Sequence, residues 1–192
     1  MSEFKLPYGM EKKPDGRLVK KEYIPARTEE REVDLKQALH DVLLEKIMNW
    51  GEWMGEWIQW HCVSLAPAVT FFEKASAFTR EFGLDLKDVA EGLPEEVRQA
   101  CDERDRLMVQ RAIKAGKKSA IERTDYYGIQ PAFKPLAAVE LLGDYLSGKL
   151  TVDTVSKNMF DDQSPYEKEF QRRLAQIHQQ RIDFVKRLEG AK

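Results

Sequence analysis

The chain has 192 residues, of which 42% are hydrophobic and 33% charged, and its formal net charge is -2. This size and composition fit one domain with an apolar core, and the near-neutral charge excludes a protein that binds nucleic acid by overall charge alone. Cys62 and Cys101 lie far apart and form neither a disulfide framework nor a zinc motif. We interpret both as reduced core residues.

The beginning of the sequence carries acidic residues and lacks the continuous apolar stretch of a signal peptide. No segment offers the roughly twenty apolar residues that a transmembrane helix needs. We therefore expect a cytoplasmic protein.

Residues 1–32 are predicted to form an extended N-terminal tail, followed by a single helical domain over 33–192. The tail contains three prolines and the Asp15-Gly16 turn signal, and it has no helical periodicity. Tyr8 and Tyr23 are among its apolar residues, which could dock on the protein's own domain or on another subunit. No stretch alternates as a β-strand does, so no sheet is expected.

A long helix is predicted from a cap at Thr28 to about Ala66, with apolar residues recurring at intervals of three and four. At 1.5 Å per residue it would span roughly 57 Å, more than the diameter of a compact domain of this size. We expect it either to break or to extend towards a partner. Pro67 cannot continue it without a kink.

Six further helical segments are predicted from apolar periodicity and from start and stop signals. They cover 67–82, 84–92, 93–116, 135–146, a short turn capped by Thr151, and 165–190. The predicted fold is therefore all-α, an irregular bundle of about five to seven helices around one long tryptophan-rich helix, with the extended N-terminal tail.

The four tryptophans of the chain fall at spacings of three, four and three, which places them on one stripe of an α-helix. They are Trp50, Trp53, Trp57 and Trp60. Gly51 and Gly55 each cost about 1 kcal/mol of helix stability relative to alanine, which suggests close approach by another element. The stripe is either a buried core or, because tryptophan is enriched at binding hot spots, an interface with a partner protein.

Charge along the chain is unevenly distributed. Residues 83–103 hold two basic and seven acidic residues, whereas 104–123 hold seven basic and two acidic ones. The possible phosphate-binding residues of this basic cluster are Arg104, Arg111, Lys114, Lys117, Lys118 and Arg123. A solvated helix whose charges complement its dipole explains the pattern equally well, and an acidic protein surface or nucleic acid could also bind there.

Motifs for catalysis or for metals are missing from the sequence. None of the three histidines follows a glutamate by three residues, as helical di-metal sites require. The segment 143–150 approaches P-loop spacing, but it lacks both the preceding strand and the hydroxyl residue after the lysine. We expect no catalytic residue, no metal and no cofactor.

The function expected from the sequence is that of a non-enzymatic helical accessory subunit, adaptor or assembly factor. It would act through protein–protein contacts or self-association in a larger complex. The expected partner-binding residues are the four tryptophans, the two glycines between them, and Tyr8 and Tyr23. The alternative is a small nucleic-acid-binding protein that uses the basic cluster at 104–123.

Overall fold

The computed structural model of the chain describes residues 10–24, 27–59, 64–121, 131–157 and 163–191, with the side chains of 21–24, 27–32 and 50–59 left aside. This part of the chain is mostly helical, as predicted. Its six α-helices are α1 (Leu35–Gln59), α2 (Ala66–Arg80), α3 (Leu86–Val89), α4 (Leu93–Lys114), α5 (Lys134–Leu146) and α6 (Pro165–Gly190). A single 3-10 turn (Val152–Thr154) follows α5.

The N-terminal region contains a sheet that the sequence analysis did not predict. Strands β1 (Met10–Lys12), β2 (Leu18–Ile24) and β3 (Arg27–Glu32) form an antiparallel sheet in the order β1-β2-β3. The expectation of no sheet is wrong because cross-strand hydrogen bonds and tight turns can order a polar segment whose side chains do not alternate strictly. The turn between β1 and β2 includes Gly16 at φ 88°.

The sheet contacts the end of α2. Lys12 of β1 lies 4.1 Å above the ring centroid of Phe82, and its ammonium is 3.7 Å from the Glu81 carboxylate. Leu18 and Val19 of β2 are buried. The division into a tail over 1–32 and a domain over 33–192 stays a prediction, but part of this tail packs against a helix of the same chain.

The first helix is shorter than predicted. It begins at Leu35 rather than near Thr28, because Thr28 lies in β3 and the Asp34 side chain accepts a 2.7 Å hydrogen bond from the backbone N–H of Gln37. It ends at Gln59 rather than near Ala66, so its 25 residues span about 38 Å. An acidic cap thus begins α1 after the strand.

The later helices follow the predicted start and stop signals closely. Prolines stand in the first turns of α2, α4, α5 and α6. Ser164 caps α6 in a reciprocal pair with Glu167, as expected of a Ser-x-x-Glu sequence. Helix α4 ends in a Schellman turn at Gly116, whose φ of 67° suits glycine.

Helix α5 lies at the centre of the described core. It contacts α1, α2, α4 and α6, and the small side chains of Ala137 and Ala138 are fully buried among them. Phe72 of α2 and Phe170 of α6 are also buried in this core. The sequence analysis placed the tryptophan helix at the centre, whereas short side chains let neighbouring helices approach α5 closely.

Candidate functional site

The predicted tryptophan stripe lies partly within the described residues. Helix α1 includes Trp50, Gly51, Trp53, Gly55 and Trp57 as helical residues, so the helical placement on which the stripe depends is confirmed for them. Trp60 lies outside the described residues, and the indoles of the other three are among the side chains left aside. Their role in partner binding stays a prediction.

The two tyrosines predicted to bind a partner have different positions. Tyr8 lies outside the described residues, whereas Tyr23 belongs to β2 and pairs with Thr28 of β3. The backbone of Tyr23 is therefore engaged in the sheet.

The basic cluster forms a continuous part of the surface of α4. Arg104, Leu107, Arg111 and Lys114 recur at spacings of three, four and three, so they share one side of the helix, which we call the α4 solvent face. All four side chains are exposed. Lys117 and Lys118, also exposed, extend the face beyond the helix end, and Arg123 lies outside the described residues.

The turn after α4 is held in place by α6. The Glu189 carboxylate of α6 accepts hydrogen bonds from the Ser119 hydroxyl and from the Ala120 backbone N–H. A small apolar cluster containing Val109 and Val185 joins the two helices just below. The basic residues of the turn are thus presented from a fixed backbone.

The α4 solvent face has an excess of positive charge and an apolar centre. Between residues 104 and 118 the only acidic residue is Asp105, which is 1% exposed and paired internally. Leu107 and Ile113 are 41% and 45% exposed, unusual values for large hydrophobic side chains in a folded core helix. Positive charge and accessible aliphatic surface therefore lie together.

On the opposite side of α4, a buried ion-pair cluster joins this helix to α6. Arg181, 7% exposed, donates to Asp105 at 3.0 Å from Nε and to Asp102 at 2.5 Å from Nη1. The other oxygen of Asp105 accepts a 2.9 Å hydrogen bond from the Ala132 backbone N–H. The sequence analysis missed this cluster, although two aspartates at i,i+3 on the apolar side of a helix signal a buried partner.

A second buried carboxylate joins three separate segments. Glu167, 2% exposed, accepts hydrogen bonds from the backbone N–H groups of Leu65 and Ser164 at 2.7 and 2.9 Å, and from the Ser156 hydroxyl. Burial raises the pKa of this carboxyl, but these hydrogen bonds outweigh it and leave the pKa below its usual range. The Ser164–Glu167 spacing predicted the cap, but not the contact with Leu65.

A third cluster links α5 to α6. Asp144 accepts hydrogen bonds from the Tyr166 hydroxyl at 2.7 Å and from the Arg173 guanidinium at 2.6 Å. Burial, together with the neighbouring carboxylate, raises the pKa of Tyr166. The Asp144 carboxylate is therefore occupied by donors from α6.

The groups that could act as nucleophiles or metal ligands have structural surroundings. Burial raises the pKa of the Cys101 thiol to about 11, so it is protonated at neutral pH and unreactive. His178 stacks on Phe133 with ring centroids 4.3 Å apart, and burial lowers its pKa. Across the described ranges, no group of three or more His, Cys, Asp or Glu residues is arranged to hold a metal ion.

The described helices were also compared with the requirements for spanning a membrane, and none is both long and apolar enough. Comparison of the chain with models of known protein families, with curated proteins and with solved structures gives no match. The functional interpretation therefore rests on the side chains themselves.

Proposed function

We propose that the protein is a non-enzymatic helical accessory subunit, adaptor or assembly factor that acts through protein–protein contacts in a larger complex. The observation that carries the proposal is the α4 solvent face, where Leu107 and Ile113 stay accessible between basic side chains. Aliphatic surface held on a regular helix is suited to docking against another protein.

The buried charges support a scaffold rather than a catalyst. The carboxylates of Asp105, Asp144 and Glu167 each bind donors from other elements of the same chain. Catalytic carboxylates instead face a substrate and have a pKa tuned to proton transfer. The proposal includes a cytoplasmic location, which the free thiol of Cys101 in the core favours.

Site-specific photo-crosslinking tests the proposal. A photoreactive amino acid at position 107 should give discrete, nuclease-resistant protein adducts in cells that naturally produce the chain. The control position is Glu169, which is exposed on α6. Adducts of the same identity and yield at both positions, or none at position 107, would count against a docking role for α4.

The tryptophan helix provides a second test of the same proposal. Once a crosslinked partner is identified, we expect deletion of residues 1–27 or the Trp53→Ala change to abolish its co-purification. Circular dichroism should show an intact helical domain in both variants. Retained binding by both would remove the tail and the stripe from the proposed interface.

Nucleic-acid binding is the second candidate function, because Arg104, Arg111, Lys114, Lys117 and Lys118 are all exposed. It predicts a salt-sensitive excess of absorbance at 260 nm in the purified protein and weaker binding when Lys117 and Lys118 are changed to glutamate. Salt-independent absorbance at the protein-only ratio would argue against it.

A further inference from the structure

The α4 solvent face has a chemical character that narrows the class of partner it fits. We propose that it binds an acidic segment of another protein that also carries leucine-like side chains, an inference that rests on the protein–protein function proposed above. Leu107 would receive the apolar side chains, while Arg104, Arg111 and Lys114 would pair with the flanking carboxylates.

The first argument is geometric. Arg104 and Lys114 are ten residues apart on α4, so they are separated by about 15 Å along the helix axis, with Leu107 and Arg111 between them. This length matches about three turns of a partner helix. An interface of this size is smaller than those of stable complexes, so the expected binding is reversible.

The second argument is charge complementarity. The one acidic residue between 104 and 118, Asp105, lies on the opposite side of α4 and pairs with Arg181. Glu103, at the edge of the face, lies 4.0 Å from Arg106. Glu189 near the helix end is occupied by Ser119 and Ala120. The remaining positive charge favours carboxylates on the partner.

The third argument separates a protein from a nucleic acid. Phosphates would neutralise the basic residues but would leave Leu107 and Ile113 in water. Single-stranded nucleic acids bind proteins largely by stacking on aromatic side chains, and residues 103–119 contain none. A segment that offers both carboxylates and aliphatic side chains satisfies both features of the face.

Fluorescence anisotropy with three labelled probes tests the inference. The first is a synthetic helical peptide with glutamates flanking leucines at i,i+3 and i,i+4 spacing. The second is the same peptide with every leucine changed to glutamine, and the third is a single-stranded DNA oligonucleotide. We expect the leucine peptide to bind about tenfold more tightly than either of the other two probes.

Three variants locate the binding. Leu107→Gln should weaken the leucine peptide about fivefold without affecting the glutamine peptide, and the Arg111→Glu/Lys114→Glu double variant should weaken it about tenfold or more. Arg172→Glu, an exposed change on α6, is the charge-matched control and should have no effect.

The possible outcomes are distinct. Equal affinity for the two peptides, insensitivity to Leu107→Gln, or tighter binding of DNA would each overturn the acidic-segment inference, as would no binding of the leucine peptide. The crosslinking experiment at position 107 does not depend on partner chemistry. It would still support a docking role if this inference failed.

Discussion

Glu167 shows how a single residue can organise this fold. Its two carboxylate oxygens accept hydrogen bonds from Leu65, Ser156 and Ser164, which belong to three separate segments. The N-terminus of α6 adds favourable electrostatics for a negative charge at this position. An ionised carboxylate buried in this way is stabilised only while all its donors remain in place.

The Glu167→Gln change should lower the free energy of unfolding by about 2 kcal/mol, because the amide places an N–H₂ group against donors. Urea denaturation followed by circular dichroism measures the loss. Glu169→Gln, two residues away and exposed, serves as the control and should change stability by less than about 0.5 kcal/mol. Equal effects of the two changes would contradict a special role for the buried carboxylate.

The same residue predicts a pH dependence. The ordinary pKa is 4.5, and the pKa in the folded protein is lower. The stabilisation by ionised Glu167 is therefore fully present above pH 4.5 and is lost as the pH falls through the folded-state value. The stability difference between the native protein and Glu167→Gln should be constant above this pH and shrink below it. A difference that persists unchanged in acid would show that ionisation is not involved.

At the scale of elements, α4 has two opposed functions. Its inner side contributes Val97, Cys101 and Val109 to apolar clusters and holds the Arg181 ion pairs. Its outer side is the proposed docking surface. A helix anchored in this way can present exposed side chains with little loss of conformational freedom on binding.

Removal of the buried guanidinium tests the anchoring of α4 to α6. Arg181→Met should cost about 3–5 kcal/mol, because it leaves buried carboxylates without their charge partner. Arg172→Met on the same helix is exposed and should have little effect on the urea midpoint. Adding Asp102→Asn and Asp105→Asn to Arg181→Met should recover part of the stability; further loss in that triple variant would contradict the ion-pair explanation.

The contribution of the N-terminal sheet can be measured in the same way. Leu18→Ala should cost about 2 kcal/mol if the buried leucine of β2 is part of the cooperative fold. Val152→Ala, at a side chain 56% exposed, is the matched aliphatic control. An unchanged urea midpoint for Leu18→Ala would mean that the sheet unfolds separately from the helices.

The sequence predicted the helices well because their signals are local. Pro94 and Pro165 marked helix starts and Gly116 marked an end, each through the conformation of its own backbone. The sheet was missed because its stabilisation comes from pairing between strands rather than from a pattern within each strand.

The candidate site was predicted to a smaller extent. The basic residues of α4 could be placed on a helix from periodicity, but the exposure of Leu107 could not, since it depends on which neighbours pack against α4. The partners of Glu167 and Arg181 lie up to 102 residues away in sequence. Such contacts follow from tertiary packing, which a single sequence does not specify.

For the molecule as a whole, the core encloses a chemical reporter of its own opening. Cys101 is buried at the contact between helices, and its pKa of about 11 keeps it as the unreactive thiol. The other cysteine, Cys62, lies outside the described residues. Modification of Cys101 therefore requires the helices to separate.

In a Cys62→Ser variant, a disulfide reagent should modify Cys101 far more slowly than it modifies a free thiol in the unfolded chain. Sub-denaturing urea should raise the rate in parallel with the unfolded population, because only the opened state reacts. Rapid modification of the native variant would mean that the α4 core opens by local fluctuation.

The bond between Leu65 and Glu167 also has a consequence for the order of folding events. Its two ends are separated by 102 residues, so forming it requires closure of a long chain loop. Contacts of this kind tend to form after the local helices and to appear late on the route to the native state. The carboxylate should therefore act chiefly as a brake on unfolding, setting how long the folded molecule lasts rather than how fast it is reached.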